Sequence, residues 1–197
     1  FLKECNGLVL IYGPPASGKS TLVMQSSLEF AKTGKVLFFN TEKNFSVDRI
    51  KFIDKDCEKL LGNILVIGIK NFEEQCKKIG MIEEIVKKGR FNCVIIHSFG
   101  NFYRYALQNE KYKDTNEKVV LMLRKIKHVT ENGIPVVITN QVYTDNDGKT
   151  QTIGGKMIKN FSDSIIELTL NPRIIKVHKP TKKESKFEIN NSGILIF

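Results

Sequence analysis

Short apolar runs without interleaved polar residues recur through the first 140 positions: Leu8–Tyr12 (LVLIY), Val36–Asn40 (VLFFN), Ile64–Ile67 (ILVI), Cys93–Ile96 (CVII) and Pro135–Thr139 (PVVIT). A continuous run of this length is the signature of a strand buried on both faces. Between the runs the period changes. Lys19 to about Lys32 predicts a helix closed by Gly34. From about Asn71 to Lys88 the apolar positions Phe72, Cys76, Ile79, Ile82, Ile85 and Val86 recur every three or four residues, which predicts one amphipathic helix. Glu117–Thr130 has the same period through Val119, Met122, Leu123, Ile126 and Val129, and Gly133 stops it. Strands alternating with helices of this length predict an α/β fold: a mostly parallel central sheet with helices on both faces.

After Val142 the pattern breaks. Tyr143–Gly155 is polar and glycine-rich, which predicts a long mobile loop. Ser164–Leu170, Arg173–Val177, Lys186–Asn190 and Gly193–Phe197 then read as short strands divided by turn residues, an antiparallel extension at one sheet edge. With no internal repeat, low-complexity stretch or linker, residues 1–197 are expected to form a single domain.

Composition narrows this picture without changing it. The chain is 41% hydrophobic and 26% charged, the balance of a globule with a packed core rather than of a disordered tail. No apolar run approaches the roughly 18 residues of a membrane span, and the opening residues do not read as the charged, apolar and small-residue series of a signal peptide. Cys5, Cys57, Cys76 and Cys93 lie far apart and form no C-x-x-C pair, so neither a zinc site nor a disulfide framework is expected. Cys93 reads as a small core residue, and a reducing, cytoplasmic compartment fits the cysteine usage. Thirty-one lysines and arginines against 21 aspartates and glutamates leave a net charge of +10, which suits an anionic partner but does not choose one.

The chemistry starts at Gly13-Pro14-Pro15-Ala16-Ser17-Gly18-Lys19-Ser20, a full match to G-x-x-x-x-G-K-[ST] between a predicted strand and a predicted helix. Backbone N–H groups must wrap a polyphosphate there, and glycines let the chain turn without a Cβ clash. The helix points its unsatisfied N–H groups at the same phosphates. Lys19 supplies charge for the β- and γ-phosphates, and the Ser20 hydroxyl is a candidate Mg²⁺ ligand. Ligands of open α/β sheets sit outside the carboxyl ends of the strands. There the sequence offers Asn40-Thr41-Glu42, His97-Ser98 and Thr139-Asn140-Gln141. Glu42 is a candidate base for a water attacking the γ-phosphate, and Gln141 a candidate hydrogen-bonding partner of that phosphate or water. The plainer alternative for each is a solvated strand-end residue.

GPPASGKST, FNTEKNFSVDRI, CVIIHSFGNFYR, VVITNQVY and TIGGKMIKNFSDSIIEL, in that order, resemble the P-loop ATPase core of the RecA/RadA recombinase superfamily, and within it the RadB family of short archaeal RadA paralogues. The resemblance covers nearly the whole chain. It implies a RecA-like fold, ATP and Mg²⁺ as cofactors, and a role assisting homologous recombination and repair. It also implies no N-terminal DNA-binding domain and no polymerisation linker, hence no long filaments. By the same resemblance Gly13, Gly18, Lys19, Ser20 and Thr21 belong to the nucleotide loop, Glu42 is the catalytic glutamate and Arg49 lies against the adenine. Gln141 would link the γ-phosphate to the second DNA-facing loop, Phe99–Tyr112 and Val142–Gly155 being the two loops that face DNA. Arg104, Lys149 and Lys156 are the expected DNA contacts, single-stranded DNA the expected partner, and RadA or the Holliday-junction resolvase further ones.

Two departures qualify these expectations. Where the family's fourth strand usually ends in an aspartate that orders Mg²⁺, this chain has His97, which brings no negative charge and predicts ATP binding with slow or absent hydrolysis. Where relatives carry a Lys-His-Arg cluster, this chain reads Val177-His178-Lys179, leaving Lys179 as a candidate finger toward a neighbouring subunit's phosphate. Basic residues concentrate in Lys176–Lys186, and others interleave with aromatics in Phe99, Phe102, Tyr103, Arg104, Tyr105, Lys111, Tyr112 and Lys113, a mixture suited to single-stranded nucleic acid. The competing reading is an ATP-sensing scaffold of the KaiC-like type without a DNA role. A small-molecule kinase fits less well, because no arginine-rich lid is present.

Overall fold

The computed structural model of the chain describes residues 2, 6–42, 45–109, 112–144 and 150–197. Its centre is a parallel sheet built from the expected apolar runs: β1 (Leu8–Gly13), β2 (Lys35–Asn40), β3 (Ile64–Gly68), β4 (Phe91–His97) and β5 (Val136–Thr144). β7 (Ser164–Leu168) adds to β1 in parallel. β8 (Ile174–Lys179), β9 (Lys183–Asn190) and β10 (Gly193–Ile196) follow antiparallel, as the turn-divided C-terminal segments predict. The order across the sheet is β10-β9-β8-β7-β1-β5-β4-β2-β3.

Alternation along the central strands explains why both faces are dry. Leu8, Leu10, Leu37, Phe39, Val94, Ile96 and Ile138 pack under α4 (Phe72–Gly80), α5 (Ile82–Gly89), α6 (Gly100–Asn109), α7 (Tyr112–Glu131) and α8 (Gly155–Phe161). Val9, Ile11, Val36, Phe38, Cys93, Ile95 and Val137 face α1 (Lys19–Ala31). Cys93 is fully buried, and burial pushes its thiol pKa up, as expected of a core position. Met24 and Leu28 of α1 make a satellite cluster with Ile50 of α2 (Val47–Ile53) and with Cys57, which precedes α3 (Glu58–Leu61). Among the described residues no helix is long and apolar enough to cross a membrane.

Several expectations need correction. The single helix over 71–88 is two, because α4 ends at Gly80 and Met81 leaves helical geometry at φ −95°, ψ 7° before α5 begins. Glycine is a poor helix former, and the apolar stripe continues across the break, which is why periodicity alone joins the halves. Most of Phe99–Tyr112 is helix α6 rather than loop. The described parts of the polar stretch after Val142, on either side of residues 145–149, are strand and helix rather than loop. β5 runs to Thr144 and turns back as β6 (Thr150–Thr152), pairing Val142 with Thr152, before Gly154 caps α8 in the left-handed region at φ 76°. Lys149 and Lys111 lie outside the described residues.

Candidate functional site

β1 delivers the chain to the phosphate loop at Gly13, beside Gln141 in the parallel register with β5. A Cβ on Gly13 would sit 2.3 Å from the Leu168 carbonyl oxygen, so only glycine fits. Pro14 and Pro15 then stiffen the turn, and the Ser17 N–H donates to the Pro14 carbonyl at 3.2 Å. Ala16 at φ 62° and Gly18 at φ 103° place left-handed residues on either side of Ser17, the backbone alternation that gathers N–H groups into an anion-binding concavity. α1 starts with no side-chain cap and no acidic residue in its first turn, so its N–H groups and dipole are left to a ligand. The buried Ser17 hydroxyl has no hydrogen-bond partner among the described residues. Thr21 is half-buried in the same first turn.

Lys19 is folded back on this loop. Its Nζ donates to the carbonyls of Gly13, at 2.8 Å, and Pro14, at 2.7 Å. Burial lowers its pKa to about 8, against an opposing pull from the Glu42 carboxylate. An anionic phosphate supplies a better partner for the ammonium than two carbonyls do.

The strand ends converge opposite this loop, with Asn40 in register with His97 across β2 and β4. His97 is 2% exposed, and Phe38 lies against its ring at 6.1 Å between centroids. Its Nε2 is 3.0 Å from the Ser20 hydroxyl, and its Nδ1 is 3.9 Å from Glu42 Oε2. Burial holds the imidazole below its usual pKa; Glu42 opposes that shift and Lys19 adds to it. Glu42 Oε1 accepts from the Ser98 hydroxyl and, at 2.7 Å, from Gln141 Nε2. Ser98 adopts φ 58°, a strained conformation for a residue with a Cβ. Its N–H donates to Thr139 Oγ1, and the Thr41 hydroxyl lies within bonding distance of the carbonyls of both His97 and Ser98. The structure therefore brings Ser20, His97, Glu42 and Gln141 into one cluster. Ser98 belongs there too; strand-end position was the only signal for it.

Gln141 also faces outward from the cluster. Its carbonyl accepts the Ile153 N–H at 3.2 Å, while Asn140 Nδ2 donates to the Ile153 carbonyl at 2.6 Å. The β5–β6 hairpin is thus tied to the residue that touches Glu42. Beyond it lies a cleft of about 760 Å³ lined by Tyr103, Arg104, Tyr143, Ile153 and Lys156, among others. The exposed Arg104 and Lys156 both line it, although α6 and α8 carry them.

Arg49 Nη2 donates to the Asn190 carbonyl at 2.8 Å, on the turn between β9 and β10. Ile189 and Ile194, flanking that turn, are the side chains a Cβ on Gly18 would meet, so Arg49 stands on the side of the phosphate loop. Periodicity gives no hint of Arg173, whose guanidinium donates to the Ala16 carbonyl at 3.2 Å. Lys179 does not reach outward: its Nζ donates to the Ser162 carbonyl of its own chain.

This donor set suits a nucleotide polyphosphate. It suits Mg²⁺ poorly, because that ion takes oxygen ligands and the site offers one hydroxyl with an imidazole behind it. Among the described residues no three His, Cys, Asp or Glu side chains are grouped to hold a metal.

The Rad51 family model matches residues 8–195. A RadB DNA repair and recombination protein of Methanococcus maripaludis is 31% identical over 98% of this chain and 93% of its own length. One from Methanosphaera stadtmanae is 31% identical over 93% of this chain and 85% of its length. A crystal structure of the RadB recombinase superposes with a TM-score of 0.77 at 25% identity, covering 95% of this chain and 89% of that one. On the phosphate loop, the sheet order and these matches together, the chain belongs to the Rad51 family, among its RadB members.

Proposed function

We propose that this chain binds ATP in the phosphate loop and single-stranded DNA in the Arg104–Lys156 cleft, and serves homologous recombination and repair by relaying nucleotide occupancy to the DNA-binding face. Its RadB relatives are named DNA repair and recombination proteins. The observation that carries the proposal is the continuous hydrogen-bonded path from Glu42 through Gln141 to Ile153 of the hairpin.

The residues divide the work as follows. Backbone N–H groups of residues 16–21 hold the phosphates, and Lys19 leaves the Gly13 and Pro14 carbonyls to meet them. Arg49, a planar cation whose guanidinium donates to the Asn190 carbonyl on the turn side of the loop, is the residue this reading stacks on the adenine. A divalent cation bound with the nucleotide would neutralise phosphate charge beside Ser20. Glu42 is positioned to accept a proton from water, but it already accepts from Ser98 and Gln141. Its Oε1 is thus already engaged, and His97 brings no negative charge to order a cation beside the phosphates, so hydrolysis is slow or absent. Gln141 donates to Glu42 in this arrangement, and a γ-phosphate competing for its amide would pull on the hairpin strand.

A protein of this kind acts in the cytoplasm beside other recombination proteins, RadA and the Holliday-junction resolvase being the partners proposed, with residues 1–197 as one ATPase core. The test is titration of labelled single-stranded DNA at several salt concentrations, with and without ATP–Mg²⁺, with phosphate release followed in the same samples. Binding should weaken steeply with salt and respond to ATP while little phosphate appears. Arg104→Ala combined with Lys156→Ala should reduce the salt slope by about two phosphate contacts. Tight ATP binding with no DNA affinity at low salt would instead favour the KaiC-like scaffold.

A further inference from the structure

We infer that the divalent cation this site prefers alongside the nucleotide is an imidazole-binding first-row transition ion of the Fe²⁺-to-Ni²⁺ class, not Mg²⁺, with His97 Nε2 and Ser20 Oγ as its two protein ligands. The inference rests on the nucleotide-binding reading and specifies the metal chemistry of that same site.

Three features carry it. First, the nitrogen and oxygen are in the right relation. Two donors on adjacent vertices of an octahedron with bonds of about 2.1 Å lie about 3.0 Å apart, and Nε2 and Oγ are 3.0 Å apart. The two atoms are hydrogen-bonded to each other, so an ion entering beside the phosphates would replace that bond while the donors keep this spacing.

Second, the imidazole is held where it is. His97 ends β4 in register with Asn40, lies against the Phe38 ring and is 2% exposed, so it cannot swing aside for a water-shelled ion. Mg²⁺ dehydrates reluctantly and takes oxygen donors, whereas imidazole suits the later first-row ions, whose affinities rise toward nickel and copper.

Third, a carboxylate stands near the ring nitrogen behind the ligand, 3.9 Å away and not yet hydrogen-bonded to it. A metal-bound histidine directs its other ring nitrogen at a carboxylate or carbonyl, which fixes the ring and makes the ligating nitrogen more basic. His97 Nδ1 has no hydrogen-bond partner among the described residues and faces Glu42 Oε2 at 3.9 Å. With Glu42 Oε1 committed to Ser98 and Gln141, the second oxygen is the one turned toward the imidazole.

The experiment titrates a fluorescent ATP analogue into the full chain in EDTA, Mg²⁺ or Co²⁺, and records the visible absorption of the Co²⁺ complex against free Co²⁺–ATP. The inference expects at least tenfold tighter binding with Co²⁺ than with Mg²⁺, and a shifted, intensified cobalt spectrum from nitrogen ligation. His97→Asp should reverse the preference, and His97→Gln should abolish it along with the spectral change. Equal affinities in Mg²⁺ and Co²⁺ with an unchanged cobalt spectrum would overturn the inference while leaving nucleotide binding intact. So would affinity in EDTA equal to that with either ion. Should neither variant fold, the wild-type affinity ratio and spectrum decide the matter on their own. Failure to bind the analogue under every condition, EDTA included, would remove the nucleotide reading itself.

Discussion

Lys19 has a pKa of about 8 because burial penalises its charge, so the unliganded protein holds a partly neutral amine at mildly alkaline pH. Bound phosphate favours the ammonium, which makes nucleotide binding take up a proton above that pH. The affinity for an ATP analogue should accordingly be flat below about pH 8 and fall by up to tenfold per unit above it. Lys19→Ala should both weaken binding more than tenfold and remove the dependence; fluorescence titration across the pH range measures both. Gly13 makes a different, purely steric prediction. Gly13→Ala forces a Cβ to within 2.3 Å of the Leu168 carbonyl, and its thermal unfolding should report a loss of about 1–3 kcal/mol even without nucleotide. Glycine at position 13 is legible from the motif. The backbone that excludes any other residue comes from β7, more than 150 positions away, and no local pattern announces it.

At the scale of elements, β1 is fastened at its start by Asp163, which accepts the Leu8 N–H at 2.8 Å and pairs with Lys127 of α7 at 2.6 Å. Burial works against this carboxylate, but the Lys127 and Leu8 hydrogen bonds outweigh it and hold the pKa below the usual aspartate value. A depressed carboxylate pKa stabilises the fold above the unfolded value and loses that contribution as pH falls through the folded one. Asp163→Asn should therefore be less stable than the parent at neutral pH, the difference closing in acid, as denaturant melts at several pH values would read. Partial exposure limits the effect to about 1 kcal/mol. The central strands were plain in the sequence because burial on both faces leaves no polar alternation to confuse with a helix. α2 and α3 were not, since α2 buries only Ile50 and α3 buries none of its residues. α6 was obscured for another reason: Tyr103 and Ala106 are buried, but they sit among Arg104, Tyr105 and Lys113, whose composition reads as a nucleic-acid contact before it reads as a helix. Three-residue β6 lies below the length at which a strand pattern exists at all.

Over the whole molecule, residues from four strand ends meet although they are up to 128 positions apart, from Gly13 to Gln141. Parallel topology does this, because every strand of the central set ends on the same side. The membership of the cluster was largely legible for that reason, whereas its bonding was not: nothing in the spacing of Ser20 and His97 says that their side chains touch. Gln141→Ala should keep ATP and DNA binding separately measurable while making DNA affinity indifferent to ATP, a result that titrations of one ligand in the presence of the other would establish. The amide's double attachment, to Glu42 by its side chain and to Ile153 by its backbone, has a thermodynamic consequence that runs in both directions. Whatever factor ATP contributes to DNA affinity, DNA must contribute to ATP affinity. A protein that turns nucleotide over slowly would then be retained on ATP wherever single strands are exposed and emptied where they are not, so its nucleotide state would report the abundance of exposed strands.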